Sequence, residues 1–274
     1  MSEQRAAGTG DRGGDASGSR HAPLWRSLIL PLAILVTWQA FGMATGNVRT
    51  PLPTKVVAAG ATLIGSGDIL MALVQSLGRV FAGFAIAAAI GIPLGLAMGS
   101  FRAVERSVDP LVESFRPIAA IAILPLAILW LGTGTSASVV IVAYAAFFPI
   151  VINAVAGAKR VNPTLLRAAA TMGLGCFAIL RTIVVPSALP AIGVGLRIGM
   201  GVAWTAIVAA ELAVGAKAGG GGSGGIGQMM FVFYAYSIEL NRIVVCMIAV
   251  GLVALALDRL LRLCMRRAMP WAAS

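Results

Sequence analysis

Three side chains in the apolar run 187–213 are able to do chemistry: Arg197, Trp204 and Glu211. A charge inside lipid-grade sequence is expensive and marks a functional position by default. Glu211 follows Trp204 by seven residues, two helical turns, so the pair shares a helix face. Two readings stand for it. Both side chains line a transport pathway or gate, or Glu211 reaches water at the end of its span while Trp204 packs on a neighbouring helix. Arg197, about halfway along the run, either contacts an anionic substrate or pairs with an acid or a backbone carbonyl. Arg79, at the end of another apolar run, reads as snorkelling to the interface.

Other chemistry is excluded by residue type. His21 is the only histidine and lies in the N-terminal tail, so no histidine metal centre or general base sits among the apolar runs. Cys176, Cys246 and Cys264 have neither metal nor redox spacing. No Gly-x-x-x-x-Gly-Lys-Ser/Thr phosphate loop occurs, and the glycine run 219–225 lacks the Lys-Ser/Thr that would follow. The chain is therefore not its own ATPase. An intramembrane enzyme would need a nucleophile, base or metal ligands within a span, and these are missing.

Positioning such residues is a task for membrane helices. Apolar residues make up 59% of the 274 and charged residues 11%, against about 25% charged in a soluble domain. The expected fold class is all-α: a polytopic membrane protein with six transmembrane helices at 24–44, 77–99, 117–133, 137–158, 187–213 and 242–262. Pro117 and Pro125 predict a kinked or irregular third span. Residues 53–76 read as an interfacial amphipathic helix or an extension of the second span. Residues 1–22, rich in Gly, Ser, Arg and Asp, read as a disordered tail, 23–267 as the membrane domain and 268–274 as a C-terminal tail.

Lys and Arg set the orientation. With the N-terminus inside, the inner side holds the four tail arginines, Arg102, Arg106, Arg116, Lys159, Arg160, Arg167, Arg181, Arg259, Arg262, Arg266 and Arg267. The outer side holds only Arg49, Lys55, Lys217 and Arg242. Both termini are thus expected in the cytoplasm of a multi-pass protein. The net charge of +11 follows from this bias, and no soluble basic face exists to bind nucleic acid. The glycine run 219–225 falls outside, as a passive linker or a mobile outer gate.

The cytoplasmic loop 159–186 stands out between two apolar runs. Asn162-Pro163-Thr164 is an N-cap followed by proline at the first helical position. Leu165, Leu166, Ala169 and Met172 share a face. Ala168, Ala169 and Ala170 keep the helix slim, and Gly173 suits a left-handed C-cap. A second short helix is expected over 176–184, stopped by Pro186. A small-faced helix–turn–helix on a membrane surface is a docking surface for a partner protein.

The loop resembles that of permease subunits of binding-protein-dependent ABC importers, which reads Glu-Ala-Ala, three residues, Gly, nine residues, Ile, one residue, Leu-Pro. Ala168, Ala169, Gly173, Ile183 and Pro186 match; Arg167 replaces the family's Glu and Val185 its Leu. Ser76-Leu77-Gly78-Arg79-Val80, Phe115-Arg116-Pro117-Ile118, Leu124-Pro125-Leu126 and Ala203-Trp204-Thr205 through Ala210-Glu211 are similar to the sulfonate/taurine/nitrate branch. The resemblance implies a type I ABC importer permease fold in the bacterial plasma (inner) membrane. It implies a partner set as well: two copies of a cytoplasmic ATP-binding subunit carrying ATP and Mg, a second permease in a homodimer, and an extracytoplasmic solute-binding protein. This chain would bind no cofactor itself. Leu165, Leu166, Arg167, Ala168, Ala169, Met172, Gly173, Ile183 and Pro186 would form the ATPase-coupling surface. The cargo would be a small solute, an organic or inorganic anion such as a sulfonate, taurine or nitrate. An ion-coupled secondary transporter is the rival reading, but it would need membrane acids that this chain nearly lacks.

Overall fold

A computed structural model describes residues 24–45, 50–214 and 224–269. The expected tail 1–22, most of the glycine run 219–225 and residues 270–274 lie outside these. The chain divides into two units, Met1–Pro53 and Thr54–Ser274. The first contains α1, Leu24–Thr45, with Pro31 inside it.

Among its described residues, the regular elements of the second unit are all helices. Pro53–Ser66 forms α2 and Asp68–Ser100 forms α3. The break is Gly67, whose φ of 78° is left-handed. Residues 53–76 thus divide between the two expectations: a separate helix first, then nine residues that lengthen the second span. Arg102–Phe115 forms α4. A single 3-10 turn, Ala120–Ile123, leads into α5, Leu124–Leu131. Then come α6 at Thr135–Lys159 and α7 at Pro163–Thr171. Cys176–Ile179 forms α8 and Val185–Val214 forms α9, with a π turn over Leu180–Val184 between them. Ile226–Val232 forms α10, continued by a π turn to Ser237, and Leu240–Ala268 forms α11.

Among the described residues, four helical stretches are long and apolar enough to cross a membrane: Asp68–Ser100, Thr135–Lys159, Cys176–Val214 and Leu240–Ala268. A fifth candidate is the pair α4 and α5, bent by 86° across its break. The expected third span at 117–133 is therefore only the second half of a broken element. Its first half lies in the stretch expected to be a loop. The cause is a charged face: Arg102, Glu105, Arg106, Asp109 and Glu113 lower the average hydropathy, while Val104, Val108 and Val112 recur every fourth residue and bury themselves against α3 and α6.

The core is built on α3, α6 and α9. Val80 and Ala87 of α3, Val142, Ala146 and Ile150 of α6, and Met200, Ala203, Trp204 and Ile207 of α9 pack together. Small residues set the approach. A Cβ on Gly95 would lie 2.5 Å from Ala154 Cβ and 2.6 Å from Val151 O, so only glycine lets the two backbones come this near. Gly91, Gly99, Gly195 and Gly199 likewise face α6. The four-residue glycine repeats pack helices within this chain.

Proline produces one departure from expectation. Pro186 does not stop the helix that begins at Cys176. The segment runs continuously to Val214. A proline lacks the N–H that the preceding turn needs, and the π turn before it absorbs that loss: Val185 N donates to Leu180 O, five residues back.

Candidate functional site

The loop helix α7 is capped at both ends as its sequence dictates. Asn162 accepts a hydrogen bond from Thr164 N at 2.9 Å, with Pro163 at the first turn. Gly173 has φ 77°, and two bonds close the other end: Leu174 N to Ala169 O at 3.1 Å and Gly173 N to Ala170 O at 3.0 Å. This crossed pair is a Schellman motif, which satisfies carbonyls that the helix end leaves open.

Leu165, Leu166, Ala169 and the C-cap residue Met172, expected on one face, divide between two environments. Ala169 is buried and Leu166 packs on a cluster of Leu96, Ala158, Val161, Val184, Ala188 and Ile192. Leu165 is 53% exposed and Met172 79%. The helix has only nine residues and rests on its middle turn, so residues at its two ends project past its footing. Phe177, 75% exposed, extends the outward apolar surface. Arg167 and Ala168 are exposed, Ile183 is half-buried and Pro186 exposed. Among the described residues no carboxylate pairs with Arg167.

The three chemical candidates of α9 do not form one cluster. Glu211 is buried. Its carboxylate accepts from Ser76 Oγ at 2.8 Å, from Arg79 Nη1 at 2.7 Å and from the backbone N–H of Gly227 at 3.0 Å. Ser76 Oγ in turn accepts from Ile226 N at 2.9 Å. The first N–H groups of α10, unpaired within their own helix, thus end on Ser76 and Glu211. Glu211 is 1% exposed and fastens α10 to α3 and α9. Arg79 is its ion-pair partner and not a snorkelling residue, because α3 begins at Asp68 and places Arg79 three turns inside the helix.

Trp204 is buried in the α3–α6–α9 core, and its indole N–H donates to Val250 O of α11 at 3.1 Å. Trp204 also borders a small pocket of about 50 Å³ that it shares with Arg197 and Asp258. Arg197 pairs with Asp258 of α11, which also pairs with Arg262 at 3.1 Å. Asp258 escaped the sequence reading, although an acid four residues before an arginine within an apolar run is a visible signal. Arg197, Asp258, Arg262 and Arg266 line a groove of about 780 Å³. A second groove of about 430 Å³ lies across the Ile198–Val202 ridge of α9, with Arg116, Tyr144 and Asn153 among its walls. Among the described residues no group of His, Cys, Asp and Glu has the arrangement of a metal site.

Residues 89–269 match the family described as the inner membrane component of binding-protein-dependent transport systems. This chain belongs to that family of ABC importer permeases. A putative ABC transporter permease of Methanocaldococcus jannaschii is 37% identical to it over 85% of this chain and 86% of its own. The taurine transport system permease protein of Escherichia coli is 34% identical, with 91% and 92% covered. The nitrate import permease protein of a Synechocystis strain is 33% identical, with 85% of each covered. In fold, the permease is similar to a chain of the MetNI methionine ABC transporter, solved in inward-facing conformations. The TM-score is 0.57 at 22% identity, over 71% of this chain and 95% of that one. ATP hydrolysis lies on a separate subunit, and permeases of this family assemble with ATPase subunits and a solute-binding protein.

Proposed function

We propose that this permease forms the transmembrane pathway for a small anion of the sulfonate, taurine or nitrate kind, and that α7 is its coupling surface for the ATPase. The single observation that carries the coupling assignment is the α7 geometry. A short helix, capped at both ends and seated by Leu166 and Ala169, turns Leu165 and Met172 into solvent. Large exposed apolar residues on a rigid element are the usual anchors of a protein interface. In this reading two copies of the chain pair as a homodimer, and each inserts α7 into one of two ATPase subunits. Closure of the ATPases on ATP then moves the helices between inward-open and outward-open states, and a solute-binding protein delivers cargo from the far side.

The reading takes α1, α3, the α4–α5 pair, α6, the stretch from Cys176 to Val214 and α11 as six spans with both termini in the cytoplasm. The Lys and Arg clusters at the ends of these helices support that orientation. The taurine and nitrate named for two relatives support the anion class.

Co-purification tests the coupling surface. In the double variant Leu165→Glu/Met172→Glu, the permease should insert normally and lose its ATPase subunit. Two apolar anchors at about 1–2 kcal/mol each correspond to at least roughly tenfold weaker association. Unchanged recovery of the ATPase would place the interface elsewhere.

A further inference from the structure

Three arginines of the described helices bear on the membrane interior, Arg79, Arg116 and Arg197, and two of these are paired with acids. Arg79 pairs with Glu211 and Arg197 with Asp258. Arg116 has no carboxylate partner among the described residues. Its depth follows from two contacts that fix α4 against α6. Glu105, near the start of α4, pairs with Lys159 at one end of α6. At the other end of α4, the Tyr144 hydroxyl donates to Phe115 O at 2.6 Å. Tyr144 lies nine residues from Thr135 and fifteen from Lys159, or roughly 14 Å and 22 Å along a helix rising 1.5 Å per residue. With a hydrocarbon core about 30 Å thick, the break after α4 sits near the bilayer centre.

Arg116 is exposed, and polar side chains stand on both sides of it. The exposed face of α4 carries Arg102, Arg106 and Glu113. Charges at membrane depth face water or protein and not lipid, so this face of α4 is suited to line a polar approach from the Lys159 end to Arg116. There the backbone is broken between α4 and α5, and non-helical backbone at membrane depth is tolerated where it lines a cavity. The second groove opens at this point. Arg116, Asn153 and Tyr144 supply its polar wall, and Ile118, Phe148 and Ile198 much of the rest. The Tyr144 hydroxyl proton is used on Phe115 O, and Asn153 Nδ2 donates to Pro149 O at 2.8 Å. The guanidinium therefore remains as the strong donor of the groove, and its planar fork matches an oxyanion.

We propose that this groove is a mid-membrane oxyanion subsite on the transport path, with Arg116 as its binding residue for nitrate-, bicarbonate- or sulfonate-type cargo. It rests on the importer reading above. Lipid phosphate has the same chemistry, but headgroups lie about half a bilayer away from the groove.

The test is ATP-driven uptake by the assembled importer, permease with ATPase and binding protein, in proteoliposomes offered isotope-labelled nitrate, bicarbonate, taurine and methanesulfonate. Arg116→Met should reduce uptake of the transported anion roughly tenfold to a hundredfold, the loss expected for one charge-assisted hydrogen-bonding group. Arg116→Lys should keep most of it. Arg116→Cys, made with Cys176→Ser and Cys264→Ser because both native thiols are exposed, should be inactive. A cationic aminoethyl methanethiosulfonate label should restore its uptake and a neutral methyl label should not. Uptake in Arg116→Met equal to wild type, or no difference between the two labels, would overturn the subsite. So would a defect confined to vesicles with phosphatidylglycerol and absent in phosphatidylcholine, which would assign Arg116 to lipid. Wild-type protein that carries only uncharged or cationic solutes would do the same. Absence of any ATP-driven uptake in wild type would instead sink the importer reading itself.

Discussion

The buried carboxylate of Glu211 is held on several sides at once, by Ser76, Arg79 and the N–H of Gly227. Removing an ion from water costs several kcal/mol. Ser76, Arg79 and the N–H of Gly227 offset that cost here. Truncation should therefore be severe. Glu211→Ala removes the carboxylate that pairs with the part-buried Arg79 and should destabilise the folded permease by about 3–5 kcal/mol, read as a lower unfolding midpoint in detergent. The double change Arg79→Met/Glu211→Leu should cost less than Glu211→Ala alone. If it costs more, the pair has been misassigned. The sequence shows Glu211 as a buried-run acid and Trp204 on its face, but not the partner. Arg79 and Ser76 are 132 and 135 residues away, and only tertiary packing brings them there. Arg79 was hidden further by the start of α3: the expected span begins at residue 77, while the helix begins at Asp68.

At the scale of elements, α7 was the most legible piece because all its signals are local. Asn162, Pro163 and Gly173 act within a few residues, and the structure gives each the role its chemistry demands. Gly173→Leu is a clean perturbation, since no heavy atom lies within 4 Å of the added Cβ. The cost is backbone strain alone, about 1–2 kcal/mol for a non-glycine residue in the left-handed region. The expected outcome is normal membrane insertion with loss of ATPase association, measured by co-purification. Normal assembly and transport would show that the cap is not needed for docking. Helix α4 is the opposite case. Its charged face reads as loop, and only Lys159 and Tyr144 of another helix reveal that it lies along α6. Pro186 failed as a stop signal for a related reason: a π turn lets the helix continue through it.

At the scale of the molecule, membrane class and helical fold were legible from composition and periodicity, and the family from the resemblance of the loop 167–186 to known permeases. The number of spans was less so, because the third is broken at 86° and divided between a charged and an apolar half. The internal use of the glycines also needed the structure. Repeats such as Gly91, Gly95 and Gly99 suit any close helix contact, and here they serve the α3–α6 packing. What these parts are proposed to do together is couple ATP hydrolysis on a partner to movement of a small anion. The direct measurement is labelled nitrate or taurine uptake into proteoliposomes containing this permease, its ATPase and its binding protein, with and without ATP. Uptake should require all three proteins and ATP, and should persist when proton and sodium gradients are collapsed. Gradient-driven uptake by this chain alone, with no dependence on ATP, would contradict it.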